Sequence, residues 1–157
     1  MVMGNKMTGN LNSQVSNSLS ILLVEDNIAD ARLIEEFLKE ININTVLNIV
    51  RDGKEAMEYL YLNCKYGGGC EYTFIILDLN LPKMSGREVL KEIKSDDELK
   101  RIPVVILTTS TAEEDINECY NNHANCYINK PLDFDEFAST MDSIKSFWFN
   151  TVELPKI

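Results

Sequence analysis

The stretch that decides the reading is IILDLNLPKMSG, Ile75 to Gly86. With Phe74 ahead of it, an apolar run leads straight into Asp78, and the chain then breaks at Leu81-Pro82 and again at Ser85-Gly86. A short apolar run bounded by turn residues reads as a strand buried on both faces. A turn-starting aspartate accounts for Asp78 only in part. The alternative is a carboxylate delivered to a strand mouth for chemistry.

Working outward, the chain alternates strands with amphipathic helices. Ser20–Glu25, SILLVE, reads as a buried strand, and Ile28–Ile41 reads as a helix with Ala31, Ile34, Leu38 and Ile41 at spacings of three and four. Thr45–Val50 is a second strand, and Asp52–Leu62 a second helix with Asp52 as its N-cap. The third strand is Thr73–Asn80, followed by a helix from near Ser85 carrying Val89, Leu90 and Ile93. Pro103–Thr108 is a fourth strand, Ala112–Asn122 a helix, and Cys126–Lys130 a fifth strand. In the last helix Phe134, Phe137, Met141, Ile144 and Trp148 form one stripe, predicted to cover the sheet and to share in any dimer contact. Strands alternating with helices imply right-handed crossovers and a parallel sheet covered on both faces.

Length and composition agree with one domain. The chain has 157 residues, 45% of them hydrophobic and 25% charged, as expected of a soluble globular protein. No apolar run approaches the roughly 20 residues of a membrane span. Residues 1–18 are rich in Asn, Ser and Gly and are expected to be disordered. Residues 19–150 form the domain and 151–157 a short tail. A net charge of −10 with no basic patch disfavours nucleic acid.

Cys64, Cys70, Cys119 and Cys126 are separated by five, forty-eight and six residues, and the single histidine is His123, so a zinc site is not expected. Cys119 and Cys126 are expected to pack as small apolar residues. Cys64 and Cys70 flank a glycine-rich loop, and a disulfide between them is conceivable in an oxidising setting. A reduced, cytoplasmic protein is the default expectation.

If the sheet is parallel, its carboxyl-terminal edge gathers Glu25, Asp26, Asp78, Thr108, Thr109, Ser110 and Lys130. Clustered carboxylates repel unless protonated or bridged by a cation. Oxygen-only ligands favour a hard ion such as magnesium. An aspartate can act as a nucleophile toward phosphorus, and a lysine and a threonine hydroxyl can hold the other phosphoryl oxygens. Each residue alone has an ordinary explanation: Asp26-Asn27 as a helix cap, Thr108 as a strand residue, Lys130 as a solvated loop lysine. Their arrival at one edge favours phosphoryl transfer to an aspartate.

At these residues the sequence resembles a known family. ILLVEDN, IILDLNLPKMSG, PVVILTTS and YINKP resemble, in order and spacing, the signatures of the response-regulator receiver domain of two-component signalling, over about residues 20–150. The resemblance implies a flavodoxin-like, doubly wound, five-stranded parallel sheet of order 2-1-3-4-5 with five helices. It implies that Asp78 is the phosphoacceptor, that Glu25, Asp26, Asp78 and the Asn80 backbone carbonyl hold Mg2+, and that Thr108 and Lys130 contact the phosphoryl group. Thr108 and Tyr127 would form the switch pair, Gly86 matches the family glycine, and Lys130-Pro131 resembles the family's cis peptide.

The segments NCYINKP and SFWFNTVELP further resemble single-domain regulators that partner phytochrome-type histidine kinases. The implied partners are a sensor histidine kinase and a downstream protein or phosphorelay partner, with homodimerisation through the exposed aromatic end. The protein would be a phosphoacceptor rather than an enzyme. Thr109 departs from the Ala or Gly of many receivers and bears on the rate of phosphotransfer or hydrolysis.

Rival readings fit less well. A GTPase needs GxxxxGK[ST] after the first strand, where VEDNIADA has no glycine, and Leu132 stands where NKxD requires aspartate. An aspartate-nucleophile phosphatase wants a second aspartate where Asn80 stands. The remaining alternative is a degenerate receiver acting as a phosphorylation-independent protein-binding module.

Overall fold

The side-chain period of two decides how this chain layers. The computed structural model describes residues 19–40, 45–65, 72 and 74–155. Strands β1 (Leu19–Val24), β2 (Thr45–Val50), β3 (Phe74–Leu77), β4 (Val104–Thr108) and β5 (Cys126–Asn129) alternate with helices α1 (Ile28–Lys39), α2 (Gly53–Leu60), α3 (Gly86–Ser95), α4 (Glu113–Asn121) and α5 (Phe134–Ile144). All pairings are parallel and the order is β2-β1-β3-β4-β5, the flavodoxin-like arrangement expected from the sequence.

Alternation along the central strands fills two cores. Leu22, Val24, Ile75, Leu77, Val104 and Ile106 face the side covered by α2, α3 and α4. Ile21, Leu23, Phe74, Ile76, Val105 and Leu107 face α1 and α5. Both faces are apolar, which is why β3 and β4 read as unbroken apolar runs rather than alternating ones.

Four helices start on side-chain caps that satisfy otherwise orphaned amides. Asn27 accepts from Asp30 N at 3.0 Å, Asp52 from Glu55 N at 2.8 Å, and Asp133 from Glu136 N at 3.0 Å. Ser85 and Glu88 form a reciprocal capping box that sets the direction in which α3 leaves the Asp78 loop.

The structure shortens several predicted elements. β3 stops at Leu77, one residue before Asp78. α1 ends at Lys39, and Ile41 lies outside the described residues. α2 ends at Leu60 and passes into a wider π-helical turn, Tyr61–Lys65. Likewise α5 ends at Ile144 and continues as a π-helical segment, Lys145–Thr151. The predicted stripe is therefore split. Phe137, Met141 and Ile144 are buried, whereas Phe134 is exposed beside Phe37. Widening the turn resets the phase, so the adjacent rings of Trp148 and Phe149 both reach Phe74, with centroids at 5.3 and 5.2 Å. Leu154 of the tail packs on the same core.

Residues 1–18 and the glycine-rich loop lie outside the described residues. Cys119 is buried and Cys126 half-buried, both free, as small apolar side chains would be. Cys64 is disulfide-bonded, which corrects the expectation of reduced thiols at this position, and Cys70 lies outside the described residues. That expectation rested on compartment statistics, which carry no geometry.

Phe74 supports the aromatic cap from beneath. Replacing it by leucine removes two ring contacts while keeping the strand apolar. Phe74→Leu is expected to lose about 1–2 kcal/mol of stability in urea unfolding. Emission of the single tryptophan, Trp148, should shift to the red as its ring gains water.

Candidate functional site

Parallel pairing brings every strand's carboxyl end to one edge. The chain departs from β1 and β3 to opposite faces, which makes the gap between them the switch point where open sheets bind ligands. Val24 pairs with Leu77, so Glu25 and Asp78 emerge side by side. The backbone ladder then extends one residue past each strand. Glu25 N donates to Val50 O at 3.0 Å, Asp78 N to Val24 O at 3.0 Å, and Lys130 N to Thr108 O at 2.7 Å. Three of the predicted site residues thus have their backbones fixed by the sheet itself.

The Lys130 ammonium sits at the centre. Its Nζ donates to Glu25 Oε2 at 2.7 Å, Asp30 Oδ2 at 3.0 Å and Asp78 Oδ2 at 3.2 Å. Glu25, Asp78, Thr108 and Lys130 are the buried polar residues among the described residues, so Lys130 is not the solvated loop lysine it resembles in isolation. The second oxygens of the buried acids face backbone amides: Glu25 Oε1 accepts from Asn27 N at 3.1 Å, and Asp78 Oδ1 from Asn80 N at 3.3 Å. Asp26 stands exposed at the rim, yet one carboxylate oxygen each from Glu25, Asp26 and Asp78 lie within 4.8 Å of one another.

Glu25, Asp30 and Asp78 surround a single ammonium with Asp26 close to two of them, and the charge does not balance. Burial pushes the Glu25 carboxyl up to about 7; the Lys130 hydrogen bond opposes this, and the neighbouring Asp78 charge adds to it. Burial alone would lower the Lys130 pKa. The hydrogen bond to Glu25 and the charges of Glu25 and Asp78 outweigh it and hold the lysine above its usual range. An all-oxygen donor set with surplus negative charge fits a hard divalent cation of the magnesium type.

Asp30 escaped the sequence reading. It follows Asp26 by one helical turn, and an acid in a first turn already has an ordinary use in favouring the helix amino terminus. Thr109, the departure noted above, is exposed. Tyr127 is half-buried; its hydroxyl donates to Ser110 O at 2.8 Å and its amide to Tyr120 Oη at 3.2 Å. No peptide bond is cis among the described residues, so Lys130–Pro131 is trans, which corrects the expected cis form. An X–Pro bond favours trans by about 0.5–1 kcal/mol.

Gly86 is set by close approach. A Cβ there would lie 2.0 Å from the Asp78 carbonyl oxygen and 2.6 Å from Leu79 Cα. Its amide donates to Leu79 O at 2.9 Å, which folds the loop back beneath the acid.

Paired acids after β1, an acid after β3, a hydroxyl closing β4 and a lysine-proline after β5 define the receiver class of two-component signalling. The family model described as the response regulator receiver domain matches residues 21–142, and the chain belongs to that family. Response regulator Rcp1 of Synechocystis sp. is 49% identical over 135 residues, spanning 86% of this chain and 92% of the relative. The crystal structure of the Mn2+-bound form of Rcp1 superposes with a TM-score of 0.82 at 48% identity, covering 88% of this chain and 99% of that one. That of the phosphorylated cyanobacterial phytochrome response regulator RcpA gives 0.83 at 48%, with the same coverage.

Two outcomes are expected from this geometry. The raised carboxyl of Glu25 means that the folded state binds more protons than the unfolded one between pH 4.5 and about 7. Stability with divalent cations chelated should therefore fall as pH rises through that window, by on the order of 1–3 kcal/mol. Glu25→Gln should flatten the slope in urea unfolding measured against pH. Gly86→Ala should lose about 3 kcal/mol in the same measurement, because backbone rather than a flexible side chain must move.

Proposed function

We propose that this receiver is a single-domain response regulator that accepts a phosphoryl group on Asp78 from a sensor histidine kinase. The observation that carries the reading is the Lys130 ammonium bridging Glu25 and Asp78 at the floor of the acid cluster. In the transfer, an Asp78 carboxylate oxygen attacks the phosphorus of a phosphohistidine. The new P–O bond forms as the P–N bond breaks, and the imidazole leaves. Lys130 exchanges its contact with Asp78 Oδ2 for a phosphoryl oxygen, and the Thr108 hydroxyl donates to another. Glu25, Asp26, Asp78 and the Asn80 backbone carbonyl would hold Mg2+, which when bound supplies charge neutralisation among the crowded oxygens. The Mn2+-bound Rcp1 and phosphorylated RcpA structures support both parts of this assignment.

The acyl phosphate adds about −1.5 to −2 charge to a buried pocket. As Thr108 follows the phosphoryl group, Tyr127 repacks and the face made by α4, β5 and α5 changes shape. Water later hydrolyses the intermediate, so the protein shares in its own dephosphorylation.

The phytochrome assignment of RcpA supports a phytochrome-type kinase as donor. The signal leaves by binding a downstream protein, by phosphorelay, or by homodimerisation through Phe147, which is 52% exposed. Among the described residues no helix is long and apolar enough to cross a membrane, and a cytoplasmic setting fits the proposed partners. We assign residues 19–150 to the receiver, 1–18 to a leading segment and 151–157 to a tail. A degenerate, phosphorylation-independent binding module is the weaker reading, because nothing in such a module requires all of these groups to converge.

Asp78→Asn is expected to abolish phosphate incorporation from acetyl phosphate with magnesium present, read by intact mass. Labelling of that variant at the normal level would overturn the assignment.

A further inference from the structure

Arg87 and Asp115 lie outside the acid cluster, and the transfer described above does not use them. Arg87 directly follows Gly86, which packs against the Asp78 carbonyl. Its guanidinium crosses from α3 to α4, where Nε and Nη2 donate to Asp115 Oδ1 at 2.9 and 2.5 Å. The other carboxylate oxygen, Oδ2, accepts from Ser110 Oγ at 2.5 Å. The Ser110 carbonyl in turn accepts from the Tyr127 hydroxyl at 2.8 Å and from Asn129 Nδ2 at 2.6 Å. A continuous chain of bonds thus runs from the Asp78 loop through α3, α4 and the loop after β4 to β5, and Thr108 joins it at Ser110, whose amide donates to Thr108 Oγ1 at 3.5 Å.

The links are strong ones. Ionised partners shorten and strengthen hydrogen bonds. The side chains of Arg87 and Asp115 are 28% and 18% exposed, well short of a freely solvated pair. The hydrogen bond from Ser110, and then that from Arg87, hold the Asp115 carboxyl below its usual range. Tyr127, at the far end, packs against the core on the α3 side of the sheet.

We propose that Arg87 and Asp115 are positioning residues of the switch: they fix Ser110 so that its carbonyl keeps Tyr127 turned in against the core before any phosphoryl group arrives. The consequence for phosphoryl binding rests on the reading of Asp78 given above; the geometry does not. Freeing Tyr127 leaves a smaller fraction of molecules in the competent arrangement, and apparent affinity falls by that fraction.

The test uses the full chain with ring-labelled tyrosine, the Tyr127 resonance being assigned with Tyr127→Phe. Each variant is titrated with beryllofluoride, a phosphoryl mimic, in the presence of magnesium. Arg87→Ala and Asp115→Asn are each expected to shift the Tyr127 signal in the free protein and to weaken beryllofluoride binding about threefold to tenfold. Arg87→Ala should add little to the weakening caused by Tyr127→Phe. Glu118→Ala is the control, since Glu118 touches the same guanidinium at 3.6 Å while Asp115 alone carries the link to Ser110; it should leave both readouts in place.

A Tyr127 signal unmoved by Arg87→Ala and Asp115→Asn overturns the proposal, as does full additivity with Tyr127→Phe or an equal effect from Glu118→Ala. If Arg87→Ala does not fold, Asp115→Asn carries both readouts. A wild-type chain that binds no beryllofluoride overturns the phosphoacceptor reading instead, and the Tyr127 signal in the free protein then decides for Arg87 and Asp115.

Discussion

One ammonium among carboxylates organises this molecule. A lysine removed from water is tolerated only where opposite charge meets it, and surplus carboxylates are tolerated only where a cation does. Lys130 and the Glu25–Asp78 pair meet that condition for each other at 2.7 and 3.2 Å. Lys130 lies 105 positions from Glu25 and 52 from Asp78, so only the completed sheet assembles the groups. After this pairing a surplus of acid over base remains at the pocket, with Asp26 at its rim and Asp30 also on the lysine.

The sheet supplies precision at this edge because the backbone ladder continues beyond the strands. Glu25, Asp78 and Lys130 each make one more ladder bond after their strand ends. Their side chains therefore hang from fixed backbone rather than from mobile loop. The loop that follows Asp78 is shaped just as firmly, by the close approach of Gly86 and by the capping box that launches α3. The acids and the lysine therefore sit on rigid supports.

The fold was legible because both of its periodicities are clean. Unbroken apolar runs in β3 and β4 announced burial on both faces, and the spacing of Ala31, Ile34 and Leu38 announced a covering helix. The residues gathered at the site were legible because parallel topology sends every strand's end to one edge, whatever lies between. Other features depend on geometry that no spacing encodes. Asp30 looked like a helix-terminus acid and turned out to touch Lys130. The change to a wider turn after Ile144 leaves no mark in the stripe of large side chains, yet it decides which rings reach the sheet. The trans Lys130–Pro131 bond and the disulfide at Cys64 likewise went against analogy and compartment statistics.

The clamp of Trp148 and Phe149 on Phe74 carries a further architectural consequence. β3 is only four residues long, with Phe74 at its entry and Asp78 just past its exit, roughly 13 Å away at strand rise. The chain's final turn is therefore anchored at the pole opposite the acids. Any module grafted beyond Leu154 would be tethered at that remote pole, out of direct reach of the pocket, and would be informed of events there only by what the sheet and its helices transmit.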